Sequence, residues 1–277
     1  MSVRGFNPHA PGGVFSALRG LAHHRDLVKI MVVRDVLGRY RGSVMGMFWS
    51  IINPLVMLTL YTFVFSVILK VKFGVGGGTT SFALYLFCGM LPWLAFSDAL
   101  TRATNVVADN SNLVKKVVFP LEILPINVTL SALVSQFFSL GILLAATLLL
   151  TQNLPVTIVL LPILLIPQVL FTLGMGWFLS SLGAYVRDLG HAIGLALTAW
   201  MFLTPIMYPE SVIPQHLRWI SDLNPMAVLV GTYRRLLLDG ALPEWGGLMY
   251  LYGLGIAVFL GGLVFFNKLK KGFADVL

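Results

Sequence analysis

Ile123-Leu124-Pro125-Ile126-Asn127-Val128 opens a stretch that runs to Gly183-Ala184-Tyr185-Val186 without a single charged residue. Its main interruption is Thr151-Gln152-Asn153-Leu154-Pro155, a cluster of turn formers between two long apolar blocks. A hydrocarbon core about 30 Å thick is crossed by about 20 apolar helical residues. The stretch therefore reads as two transmembrane helices, near Ile126–Leu150 and Val156–Leu182, joined by a hairpin turn. That pair decides the fold.

Working outward, four more blocks have comparable character: Phe48–Leu69, Phe82–Thr101, His191–Met207 and Gly247–Phe266. His191–Met207 is short, and its end near Pro205 is set by a residue that cannot continue a helix. The expected fold class is an all-α polytopic membrane protein with six transmembrane helices. Composition agrees. Of the 277 residues, 57% are hydrophobic and 11% charged, against about 25% charged in soluble domains, and mean hydropathy is +0.88.

The formal charge of +8 does not argue for nucleic acid, because the basic residues lie between apolar blocks rather than on a soluble face. Cys88 is the one cysteine, so there is no disulfide framework and no cysteine-based metal site. His9, His23, His24, His191 and His216 form no zinc-ligand pattern, and no metal is expected. Met1 to Gly20 carries Pro8, Pro11 and two arginines without an apolar core, so no cleavable signal peptide is read there. Residues 1–22 read as a variable extension.

Orientation follows lysine and arginine. With six spans, one side holds Arg4, Arg19, Arg25, Lys29, Arg34, Arg39, Arg41, Arg102, Lys115, Lys116, Arg187, Lys268, Lys270 and Lys271. The other holds Lys70, Lys72, Arg218, Arg234 and Arg235, and fourteen against five places both termini in the cytoplasm. Asp98 and Arg102, four apart near the cytoplasmic end of the second span, read as a structural pair on one helical face.

Ahead of the first span, residues 23–44 form a basic amphipathic segment. Leu27, Ile30, Val33, Leu37 and Tyr40 recur at helical steps, while Lys29, Arg34, Arg39 and Arg41 fall mainly off that stripe. Such a helix lies in the headgroup plane with its basic side toward phosphates. Two readings fit: an anchor that orients the first span, or a surface that meets an anionic ligand.

Between the second and third spans, Asp109-Asn110-Ser111-Asn112 offers helix N-caps, Leu113 to Phe119 follows as a short amphipathic helix, and Pro120 stops it. Presenting Leu113, Val117 and Phe119, it suits either a partner groove or the lipid surface. On the opposite side, Tyr208 to Trp245 is broken by Pro209, Pro214, Pro225 and Pro243. Within it, Asn224-Pro225 reads as N-cap and first helical residue, with Asp239-Gly240 as the stop. The enclosed helix is too short to span and too apolar for a free loop, so it reads either as re-entrant, lining or plugging a pathway, or as an interfacial lid with no gating role, with Arg234 and Arg235 at the interface.

Spans three to six hold no charge at the bilayer centre for ion coupling. None of the eight lysines follows a glycine, which rules out the glycine-rich phosphate loop of nucleotide hydrolases. No catalytic constellation stands out. A transport protein built this way is passive or borrows its motor.

At this point the chain resembles the membrane subunit of bacterial ABC-2 type exporters of lipid-linked polysaccharides, the O-antigen, capsule and teichoic-acid permeases. The carriers are Arg34-Asp35, Arg39-Tyr40-Arg41, Ser43, Gly46, Trp49 and Asn53-Pro54, then Asn112 to Phe119 with Pro120, Glu122 and Pro125, and finally Asn224-Pro225. The likeness covers essentially everything from His23, with 45–277 as one transmembrane domain. It implies a homodimer docked on two cytoplasmic ATP-binding cassette subunits that hold the ATP and Mg, leaving this chain without cofactor or catalysis. Leu113, Lys115, Lys116, Val117, Phe119 and Glu122 would form the coupling segment, and Arg34, Arg39 and Arg41 a gate for the phosphates of a polyprenyl-pyrophosphate-linked glycan. Asn224, Pro225, Arg234 and Arg235 would belong to the outer gate. Sugars stack on aromatic faces, so Trp49, Tyr61, Phe65, Trp93, Trp200 and Tyr208 are channel-lining candidates. Export of a small lipid or drug, a passive channel and a lipid-modifying enzyme are the alternatives.

Overall fold

The computed structural model describes residues 24–39, 45–68, 79–116 and 119–277. All regular structure among them is helical. Four helices are long and apolar enough to cross a membrane, which makes the chain a multi-pass membrane protein: Phe82–Asp109, Ile123–Thr151, Val156–Tyr185 and Trp245–Val276. The blocks expected as first and fifth spans are helical but shorter, over Ile51–Val64 and Leu189–Leu203.

Helix α1, Arg25–Gly38, precedes the apolar body. Its Val36 is buried against that body, while Ile30, Val33 and Leu37 remain exposed along one face. These are stripe residues of the sequence. Helix α2, Trp49–Tyr61, continues as a π-helical segment, Thr62–Ile68. Thr59 and Thr62 each donate to the carbonyl four residues back, at 2.8 and 2.6 Å, a pattern that bends helices. The outward face of α2 is aliphatic, with Leu55, Met57 and Leu60 exposed.

Helix α3, Thr79–Asp109, is the hub. It is mostly buried and packs on the π-helical segment and on four helices defined below. It runs past the predicted end at Thr101 because Arg102 finds carboxylates rather than ending the helix, and because Ala103, Thr104, Val106 and Val107 are buried beyond it. After Asn110 the chain forms the short α4, Ser111–Lys116.

Helices α5, Ile123–Thr151, and α6, Leu161–Tyr185, make the predicted hairpin. Gln152 closes α5 in the left-handed region at φ 53°, and a 3-10 turn over Val156–Leu160 leads into α6. Helix α7, Leu189–Leu203, stops short of the expected Met207 because the chain unwinds at Thr204-Pro205. Two shorter helices follow, α8, Arg218–Asp222, and α9, Pro225–Leu237. Then come α10, Trp245–Leu269, and the terminal turn α11, Phe273–Val276.

The main partners of α3 are α5, α6, α7 and α9, while α6 and α10 form the most extensive pair. In a bilayer, burial against protein gains little hydrophobic energy over burial in lipid, so close packing must hold these helices together. Glycine permits it. A Cβ on Gly174 would run into the Val258 carbonyl of α10, and one on Gly262 into the Gly174 carbonyl, so the two backbones touch. Backbone breaks are covered by tyrosines from neighbouring helices. Pro167 lacks the N–H that would bond the Ile163 carbonyl, and the Tyr252 hydroxyl donates to that oxygen instead at 2.7 Å.

Candidate functional site

One end of the bundle gathers α1, α4, the start of α5 and the C-terminal turn, and its charges are organised. Arg102 Nη2 of α3 lies 2.6 Å from Asp35 of α1. Arg39 reaches Asp98 at 3.1 Å and Asp35 at 3.6 Å, and donates to Ser135 Oγ of α5 at 3.3 Å. The predicted Asp98–Arg102 contact is present at 3.7 Å, but Asp35 is the closer partner. The four side chains stay 21–37% exposed, so each pair is worth at most about 1 kcal/mol. Together they fix the position of α1 on α3 and α5. Of the three arginines read as phosphate-facing, Arg39 is thus committed to carboxylates, Arg41 lies outside the described residues, and Arg34 makes no ion pair among them.

Beside these ion pairs, α1, α3 and α5 line a half-open cavity of about 360 Å³. Its polar wall includes Arg34, Asp35, Arg102, Asn105, Asp109 and Asn127. Asn127 is 8% exposed, and its Oδ1 has no hydrogen-bond partner among the described residues.

The described apolar side chains of the segment Leu113–Phe119 are partly covered by the bundle. Leu113, Val114 and Phe119 pack on a cluster containing Val107, Trp177, Phe266 and Phe273. Leu113 and Phe119 are thus half-buried against the C-terminal turn, a partner that no local pattern reveals, while Asn112 and Lys115 face out. Val117 and the side chain of Lys116 lie outside the described residues. Glu122 is a fastener: its carboxylate pairs with Lys270 near the C-terminus, and its carbonyl accepts from Trp177 Nε1 at 3.1 Å.

At the opposite end, Asn224 caps α9 by accepting from Met226 N–H at 3.0 Å, and its Oδ1 also accepts from Trp200 Nε1 at 2.9 Å. Its amide donates to Thr204 Oγ1 at 2.9 Å. The predicted cap thus also ties α9 to the unwound end of α7, with Pro225 as first helical residue. Arg234 is 5% exposed. Its guanidinium donates to the carbonyls of Pro205 and Ile206 at 2.7 Å and of Tyr85 at 3.2 Å, and lies 3.5 Å from the centre of the Tyr85 ring. The chain break at Pro205 exposes carbonyls that need donors, and the arginine fork supplies them. Arg235 stays at the surface, paired with Glu244 at 2.6 Å.

Between the two ends, Gln136 of α5, Gln168 of α6 and Tyr233 of α9 form a closed buried network. Gln136 donates to Tyr233 at 2.8 Å, Tyr233 to Gln168 at 2.7 Å, and Gln168 back to Gln136 at 2.7 Å. A search for charge inside the spans passes over neutral amides; the signal was two glutamines in a charge-free run. Trp93, 3% exposed, joins Phe96, Phe171 and Trp200 in an aromatic cluster with centroids 5.3–6.4 Å apart. Trp93 is buried in this cluster and Trp200 half-buried. Trp49 is exposed, Tyr61 is half-buried, and the side chain of Phe65 lies outside the described residues. Tyr208 donates to the Phe202 carbonyl at 2.8 Å and borders an apolar pocket with Leu203, Ile213 and Leu217.

A family described as ABC-2 type transporter matches residues 26–238, from α1 through α9. The chain is 32% identical over 255 residues to the O-antigen export system permease protein RfbA of Klebsiella pneumoniae, covering 91% of this chain and 95% of that protein. It is 29% identical over 260 residues to the protein of the same name from Myxococcus xanthus, with 93% and 98% covered. Polysialic acid transport protein KpsM of Escherichia coli is 22% identical over 262 residues, with 92% and 98% covered.

Proposed function

Since this chain belongs to the ABC-2 type transporter family, we propose that it is the transmembrane subunit of an ATP-driven exporter of undecaprenyl-linked polysaccharide, O-antigen or a similar glycan, across the bacterial inner membrane. The observation that carries this reading is the likeness, over more than nine-tenths of the chain, to proteins named for O-antigen export and polysialic acid transport.

In this reading α2 with its π-helical continuation and α7 are the first and fifth of six spans, and residues 45–277 form one transmembrane domain with 23–44 as its interface helix. Both termini are cytoplasmic, by the fourteen-to-five bias of basic residues. Two copies pair and dock two ATP-binding cassette subunits, which bind ATP and Mg and hydrolyse it. The outward face of α4, which carries Lys115, receives their motion, with Lys116 as a further residue of the coupling segment. Its inward face, packed on the base beside the Glu122–Lys270 fastener, passes that motion to α3, α5 and α10 as one body. Arg34 and Arg41 face the lipid phosphates. Helix α9 is a re-entrant part of the outer gate, and Trp49, Tyr61, Phe65 and Tyr208 are the remaining aromatic candidates for the glycan path.

Deletion of the gene tests this directly. Lipid-linked glycan should accumulate on the cytoplasmic leaflet while surface glycan disappears, and a plasmid copy should restore export. Undiminished surface glycan in the deletion strain would contradict the assignment.

A further inference from the structure

We propose that the cavity between α1, α3 and α5 binds a neutral sugar unit of the lipid-linked glycan, the one adjoining its phosphates. This rests on the functional reading above and assigns a part of the substrate to particular residues.

Size comes first. About 360 Å³ lies at the small end of the roughly 300–1,000 Å³ range of small-molecule sites, so the cavity suits one or two rings and not a lipid tail. Chemistry narrows it further. Asn105 and Asn127 carry both a donor and an acceptor, as vicinal hydroxyls do, and Val106, Leu124 and Val128 provide an apolar wall for the C–H face of a ring.

Asn127 is the second, independent observation. More than nine-tenths buried, it keeps an amide oxygen that nothing in the described chain bonds. Buried amide oxygens are rarely left so. A ligand hydroxyl, reached directly or after an amide half-turn that exchanges oxygen and nitrogen, supplies the missing partner.

Charge decides against a phosphate inside the cavity. Arg102 is already held by Asp35, and Asp109 offsets Arg34 on the same wall. Two arginines and two aspartates leave the wall without net charge, which favours a neutral polyhydroxyl group inside and leaves a phosphate to the exposed rim. Arg34, without an ion pair among the described residues and exposed, stands where an adjoining phosphate can be met.

The wall also touches the joint to α4. Asp109 ends α3, Asn110 N–H donates to the Val107 carbonyl at 3.2 Å, and Asn110 accepts from Leu113 N–H at 2.8 Å. A sugar held here therefore bears on the residues from which the coupling segment springs.

The test uses the complex with its ATPase subunit in nanodiscs and two probes, polyprenyl diphosphate and the same lipid carrying one hexose. The wild type should bind the hexose-bearing probe about tenfold more tightly, the equivalent of one or two hydrogen bonds. Asn127→Leu and, separately, Asn105→Ala should each remove that increment, whereas Arg34→Gln should weaken both probes alike and keep it. No increment in the wild type, or an increment retained in a folded Asn105→Ala, overturns the proposal. So does loss of the ATPase subunit from either asparagine variant, which would make the cavity a docking site for that partner. Failure of the wild type to bind either probe would overturn the functional reading itself.

Discussion

Arg102 Nη2 lies 2.6 Å from both carboxylate oxygens of Asp35, joining the interface helix α1 to the central helix α3 across 67 positions of sequence. Because α3 ends at the joint to α4, this contact connects α1 to α4 through a single helix. It also explains why an arginine can sit near the end of a membrane helix: the charge is matched from outside that helix.

Cutting this contact should loosen α1 without unfolding the bundle. Asp35→Asn and Arg102→Gln are each expected to cost up to about 1 kcal/mol at this exposure, and the double variant no more than the worse single one. Thermal unfolding in detergent checks the cycle; simple additivity would mean the pair contributes nothing.

Arg234 should be far more sensitive. Replacing it with Lys removes the fork that serves three carbonyls, at a cost on the order of 3 kcal/mol. Gly89→Ala should fail for a related reason, since its Cβ would come within 2.6 Å of the Arg234 guanidinium. Folded yield by size-exclusion chromatography distinguishes these variants from Arg235→Lys, which should behave like the wild type.

The buried triad predicts non-additivity. Gln136→Leu or Gln168→Leu alone should destabilise by about 1 kcal/mol, because each leaves buried partners unbonded. The combination of both with Tyr233→Phe should recover part of that loss, since no orphaned group remains. Equal or greater loss in the triple variant would mean the shape of the amides, not their hydrogen bonds, matters.

The coupling segment should separate two effects. Charge reversal at Lys115 and Lys116 is expected to reduce co-purification of the ATPase subunit while leaving the melting temperature of the free chain unchanged. Phe119→Ala should do the converse in first order, lowering the melting temperature because Phe119 packs inward on the base. If Phe119→Ala abolished co-purification with no thermal change, the inward placement would be wrong.

Much of this was legible in the sequence. The charge-free run with its turn at Thr151–Pro155 gave the α5–α6 hairpin, Asn224-Pro225 gave the start of α9, and Lys and Arg spacing gave the basic end. What escaped shares one cause: partners distant in sequence. Arg234 reads locally as a snorkelling residue, and only the unwinding at Pro205 makes a buried donor necessary. Leu113 and Phe119 read as a display surface until the C-terminal Phe273 covers them. Helix α3 reads as ending at Thr101 until Asp35 neutralises Arg102. Local periodicity locates helices; it does not say which faces meet.

Export of a lipid-linked glycan on borrowed ATP hydrolysis is the activity on which the proposed function stands. Its most direct test is transport in proteoliposomes holding the chain and its ATPase subunit, scored by enzymatic labelling of glycan that crosses the bilayer. The account predicts ATP-dependent translocation of a polyprenyl-diphosphate-linked glycan, abolished when the ATPase is omitted or ATP is replaced by a non-hydrolysable analogue. Translocation that proceeds equally without the ATPase, or none with the complete complex, would contradict it.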